Sequence, residues 1–138
     1  MKIMVENCFE IVNHSTSHHR LERVGLQKAV AKDDNKIYGW FTHTFLDGAE
    51  LFIGEETYKI ISHGSDSNGN FFVVDRPFVK NYGLGTSIQL ADEALNNELF
   101  YGVEDMEKQL GTKINHFTYP YTVSDKRTRK LIEDTNKY

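Results

Sequence analysis

The chain has 138 residues, of which 39% are apolar and 26% charged, and carries a formal net charge of −4. That length fits one domain, or one small core with an added module, and the composition is that of an ordinary soluble globular chain. No apolar run approaches the roughly 20 residues of a membrane-spanning helix. The opening MKIMVENCFEI lacks the apolar stretch and cleavage site of a secretory leader, and the single cysteine, Cys8, excludes an internal disulfide and a multi-thiolate zinc site.

In chain order, Cys8 reads as a small core residue and residues 9–13 (FEIVN) as a short strand. Ser15, Thr16 and Ser17 are good helix caps, and a helix is expected over about 18–31, with Leu21, Val24 and Val30 as its inward residues. Asp33-Asp34-Asn35 breaks that pattern. Residues 36–45 (KIYGWFTHTF) are aromatic and β-branched, Leu46-Asp47-Gly48 reads as a turn, and residues 50–53, 58–62 and 71–74 read as further strands. Asn68-Gly69 suits a positive-φ turn. The block from about 37 to 76 therefore predicts a meander of antiparallel strands, whose aromatic residues 38–45 form either a sugar-stacking surface or a half-buried sheet face.

From Ala91 the period changes. Leu95, Leu99, Val103, Met106 and Leu110 fall on one face of a long helix, with Gly111 as its terminator. Residues 113–119 (KINHFTY) read as a strand stopped by Pro120, and Ser124 as the cap of a last helix that buries Leu131 and Ile132. The cluster Lys126, Arg127, Arg129 and Lys130 lies on that helix and reads as a solvated face, so no nucleic-acid partner is expected.

Two histidines stand out. On a helical turn, His14 and His18 share one face, and both imidazoles can reach one metal ion. The segment around them, Glu10-Ile11-Val12-Asn13-His14-Ser15-Thr16-Ser17-His18-His19-Arg20-Leu21, resembles the histidine motif of the polysaccharide deacetylases (NodB-like, carbohydrate esterase family 4). Residues 111–121 (GTKINHFTYPY) are similar to the family strand that ends in F-x-Y-P-Y-G, with Thr122 where the family has glycine. Thr44-Phe45-Leu46-Asp47-Gly48 resembles the family's T-F-D-D-G, with Leu46 in place of the general base.

The resemblance implies a zinc ion, or another divalent metal, held by His14, His18 and Asp47. It implies an oxyanion donor in the Tyr121 amide, and substrate contacts from His116, Tyr119, Pro120 and Tyr121. It also implies a fold of the α/β class, with an α+β arrangement left open, containing part of a NodB-like βα-barrel. In the family the aspartates precede the histidines; here they follow. Either the domain is permuted, or residues 32–90 are an inserted antiparallel meander or small barrel. The strand-rich texture favours insertion, as does the similarity of residues 47–60 to the small β-barrels of phage tail and head–tail proteins. Residues 1–31 and 91–138 are then the deacetylase-like part.

The expected function is that of a metal-dependent N-deacetylase-like protein acting on or binding N-acetylated polysaccharide, peptidoglycan or chitin-like. Leu46 leaves enzymatic activity open. The alternative is a non-catalytic structural or glycan-binding protein, such as a phage virion or tail component. The expected partner is an N-acetylated glycan, without a membrane. Assembly with further copies and a cytoplasmic or virion-associated location both stay open.

Overall fold

The computed structural model describes residues 10–138; the readings of Cys8 as core and of Phe9 as the start of a strand lie outside the described residues. These residues form two compact units. One is contiguous, Glu22–Ala94; the other joins the residues up to Leu21 with Leu95–Tyr138. Among the described residues no helix is long and apolar enough to cross a membrane.

The contiguous unit is a single antiparallel sheet built from β1 (Val24–Gly25), β2 (Lys36–Tyr38), β3 (Glu50–Ile53), β4 (Glu56–Asp66), β5 (Gly69–Val74) and β6 (Ser87–Leu90). Their order across the sheet is β1-β6-β3-β4-β5-β2. Alternation sets the register: Leu51 and Ile53, Tyr58 and Ile60, Phe72 and Val74, and Ile88 and Leu90 all point inward and are buried. A slip of one residue would expose each of those pairs. The 11-residue β4 serves two neighbours. Its first half pairs with β3, and from Ile60 onward it pairs with β5, with a bulge between Ile60 and Ser62. Edge-to-face rings fill the interior, Phe41 against Phe72 at 6.4 Å and Tyr58 against Phe78 at 5.3 Å.

This architecture corrects the expected fold. A βα-barrel needs parallel strands alternating with helices, whereas every pairing among the six strands is antiparallel. The described residues show only one parallel contact, the isolated bridge between Asn13 and Phe117.

Three local readings also change. The helix expected over 18–31 is absent. Gly25, a poor helix residue, instead sits in β1, where a Cβ would lie 3.2 Å from the Gly85 backbone. Val24 and Leu26 are buried with the period of two that a strand requires. Residues 36–45 are strand only to Tyr38, and Trp40–Thr44 then form a 3₁₀ turn. There the Thr42 and Thr44 hydroxyls donate to the carbonyls three residues back, at 2.9 and 2.6 Å, which competes with a ladder.

The long helix is two: α1 (Asp92–Phe100) and α2 (Val103–Leu110), separated at Gly102, whose φ is 74°. That left-handed residue resets the helical phase, so Glu107 is buried beside Val103 while Met106 is half-buried. In the last helix, α3 (Lys126–Thr135), Asp125 and not Ser124 is the cap, accepting from the Thr128 amide at 2.9 Å. Leu131 and Ile132 are half-buried; the buried residue of this helix is Thr128, whose hydroxyl donates to the Leu21 carbonyl at 2.8 Å.

Glu107 ties α2 to the segments that follow it. It accepts from the Ile114 amide at 2.9 Å and from the Lys113 and Lys137 ammonium groups, each at 3.2 Å. The Ile114 hydrogen bond, helped by the two lysines, lowers its carboxyl from 4.5 to about 2. Between those values the unfolded chain takes up a proton that the folded chain does not. The stabilisation is therefore complete above pH 4.5 and lost as pH falls through about 2. Denaturant titrations of the wild type and Glu107→Gln should differ clearly at pH 6 and converge toward pH 2. A gap that is constant with pH would show that the carboxylate's charge is not what matters.

Candidate functional site

The discontinuous unit brings together two segments far apart in sequence. The Asn13 amide donates to the His116 carbonyl at 3.0 Å, and the Thr118 amide donates to the Asn13 carbonyl at 2.8 Å, on either side of Phe117. The Asn13 side chain, buried, donates to the Leu99 carbonyl at 2.8 Å and so fixes this pairing to the end of α1. The loop after Asn13 is held by the same helix. The Thr16 amide and hydroxyl donate to the carbonyls of Glu98 and Asn97, at 3.2 and 2.9 Å, and the Ser17 amide donates to the Glu98 carboxylate at 2.9 Å.

On this frame stands a row of rings. His14 meets His18 edge-on with ring centres 4.8 Å apart, and His18 meets Tyr121 at 4.9 Å. All three are exposed, while Arg20, buried, holds its guanidinium 5.7 Å from the Tyr121 ring. The histidines meet without the helical turn that their spacing predicted. Ser15 and His18 take left-handed backbone, with φ of 65° and 59°, and the Ser15 hydroxyl accepts from the His18 amide at 3.0 Å.

Tyr121 and Thr122 are left-handed too, both at φ 57°. Four of the six non-glycine residues with positive φ among the described residues, Ser15, His18, Tyr121 and Thr122, thus lie in these two loops. Each costs on the order of 1 kcal/mol, and such strain concentrates at functional sites.

The donor chemistry of the pair suits a cation in part. His14 donates from Nδ1 to the Thr118 carbonyl at 2.7 Å. This is the arrangement that commits the Nε2 lone pair of the neutral ring to a metal. His18 supplies a second imidazole. Among the described residues no group of three or more His, Cys, Asp or Glu side chains gathers, so the two imidazoles are the protein ligands the site offers.

The other predicted site residues lie as follows. His116 pairs through Nδ1 with the Glu10 carboxylate, and both are exposed. Tyr119 is half-buried against Phe117 at 5.3 Å, with burial raising its hydroxyl above the usual range, and Pro120 is buried. Asp47 belongs to the contiguous unit, in the turn from Leu46 to Ala49, where its carboxylate lies 2.6 Å from His63 Nδ1. The other ring nitrogen of His63 faces the Thr42 carbonyl at 2.8 Å.

Sequence reading passed over Glu98 and His19. Both are buried, and His19 Nδ1 lies 3.7 Å from the Glu98 carboxylate. Burial lowers the His19 pKa, against an opposing pull from Glu98. A charged residue on the apolar side of α1, one position before Leu99, was the available signal for Glu98.

Comparison with models of known protein families, with curated proteins and with solved structures found no match.

Thr122 occupies, in left-handed backbone, the position where the resembled motif carries glycine. Thr122→Gly should therefore raise thermal stability, by about 1 kcal/mol, because glycine adopts this φ without the Cβ conflict. A thermal melt of the two proteins checks this, and a lower midpoint in the variant would contradict it.

Proposed function

We propose that this chain binds a divalent cation at His14 and His18, and that beside the cation it binds the N-acetyl group of a polysaccharide, in the manner of a polysaccharide deacetylase. One observation carries the reading. Two segments that separately resemble deacetylase motifs, His14 and Thr118 being 104 residues apart, are paired so that their rings form one exposed row. A scaffold alone would need neither imidazole on the surface nor strained backbone beneath both.

His14 and His18 would hold the cation, with Thr118 orienting His14. A divalent cation bound there would supply a Lewis acid for the carbonyl of the acetamide. The Tyr121 amide is the donor that the resemblance assigns to the carbonyl oxygen. The Tyr121 ring, backed by Arg20, offers a flat surface for the sugar. The resemblance puts Leu46 where the family has its general base, and leucine accepts no proton, so binding rather than rapid hydrolysis is the expected activity.

Purified protein equilibrated with zinc should retain about one ion per chain. His14→Ala and His18→Ala should each weaken retention at least ~10-fold without loss of the fold. With zinc bound, an N-acetylglucosamine oligomer should bind while releasing acetate slowly or not at all. Failure of the wild type to retain zinc, or retention that survives both substitutions, would remove the proposal.

A further inference from the structure

A second surface, in the contiguous unit, has the composition of a ligand site and lies outside the cation reading. A cleft of about 360 Å³ is lined by Gln27, Lys28, Tyr38, Trp40, Asn68 and Asn70, among others. Trp40 is 52% exposed, large for an indole. It is nevertheless held: its amide donates to Gln27 Oε1 at 3.2 Å, and its ring stands edge-on to the buried Phe41 at 6.0 Å.

The neighbouring Gly39 donates its amide to the Asn70 carbonyl at 3.1 Å, which fixes the corner where β2 gives way to the 3₁₀ turn. A Cβ there would lie 2.5 Å from the Phe41 ring, so the corner that presents Trp40 depends on glycine.

The polar wall is satisfied within itself. The Tyr38 hydroxyl donates to Asp66 at 2.8 Å, and the Asn68 amide donates to the same carboxylate at 2.7 Å. Lys28 donates to the Asn68 carbonyl at 2.6 Å, its ammonium 5.1 Å from the centre of the Tyr38 ring. Lys28 in the lining and Asp66 behind Tyr38 carry opposite charges, and each is hydrogen-bonded to neighbours. What it offers a ligand is an exposed indole, a tyrosine ring and the side-chain amides of Gln27, Asn68 and Asn70.

An indole face takes the C–H face of a sugar ring, and carboxamides exchange hydrogen bonds with hydroxyls in both directions. The volume is at the lower end for a ligand cleft and admits about one or two hexose units. The geometry points to a metal-independent saccharide subsite at Trp40, taking a neutral hexose unit of a polysaccharide.

Trp40 is the chain's single tryptophan, so its emission reports on this cleft alone. The test is a titration of the full chain, in the presence of a chelator, with trimers of N-acetylglucosamine and, separately, of glucose. A saturable change in emission with at least one trimer, with a midpoint of about 1 mM, is expected. Tyr38→Ala should raise that midpoint several-fold. Trp40→Ala should abolish the binding heat measured by calorimetry, and His14→Ala should leave the titration unchanged.

The proposal is overturned if neither trimer gives saturation up to about 20 mM, some twentyfold above the expected midpoint. It is equally overturned if saturation disappears in His14→Ala, or if only a single-stranded oligonucleotide control saturates. Because metal is excluded throughout, loss of the cation reading would leave this result standing, and the reverse also holds.

Discussion

The candidate site depends on two backbone hydrogen bonds. Asn13 and the residues around Phe117 hold each other in parallel register, and the Asn13 side chain anchors the pair to the end of α1. Without that register, His14 would lose the Thr118 carbonyl that orients its ring, and His18 would lose Tyr121. The Leu99 carbonyl receives both the Asn13 carboxamide and the Tyr138 hydroxyl, so Tyr138 is tied to the same point. Buried polar contacts of this kind contribute modestly to stability but are costly to leave half-made, which favours a single arrangement.

What the sequence allowed to be read follows from how local each determinant is. Strands β3 and β5 and the turn at Gly69, whose φ is 114°, were legible because alternation and turn chemistry are properties of a few adjacent residues. The end of α2 at Gly111 was legible for the same reason. The stretch 18–31 was not. The helix caps before it and the i, i+3 pair Leu21 and Val24 suit a helix, but Val24 and Gly25 pair with Ile88 and Ser87, partners more than sixty residues away that no local window contains. The fold class was misjudged for a related reason. A resemblance of short segments carries their loops and side chains but does not specify the sheet that the rest of the chain builds.

The candidate site was legible in its residues rather than in its geometry. His14, His18 and Tyr121 were picked out from motif resemblance, yet the helical turn invoked for the histidines does not exist. Left-handed backbone at Ser15 and His18 brings the rings together instead. The polar support beneath, Glu98 and the Asn97 carbonyl, escaped notice because a helix surface facing a loop has no sequence signature of its own. Asp47, picked out by the same kind of resemblance, has its carboxylate 2.6 Å from His63 Nδ1, a partner sixteen residues on that the motif does not name.

The pairing of β1 with β6 bears on how such a chain reaches its native state. Val24 and Gly25 lie against Ile88 and Ser87, so the contiguous unit, once formed, carries its own first and last strands side by side. The segments that must later join around Asn13 and Phe117 then emerge from neighbouring strands rather than from the ends of an open coil. Since closure entropy grows with the logarithm of loop length, this spares the second event about 1 kcal/mol.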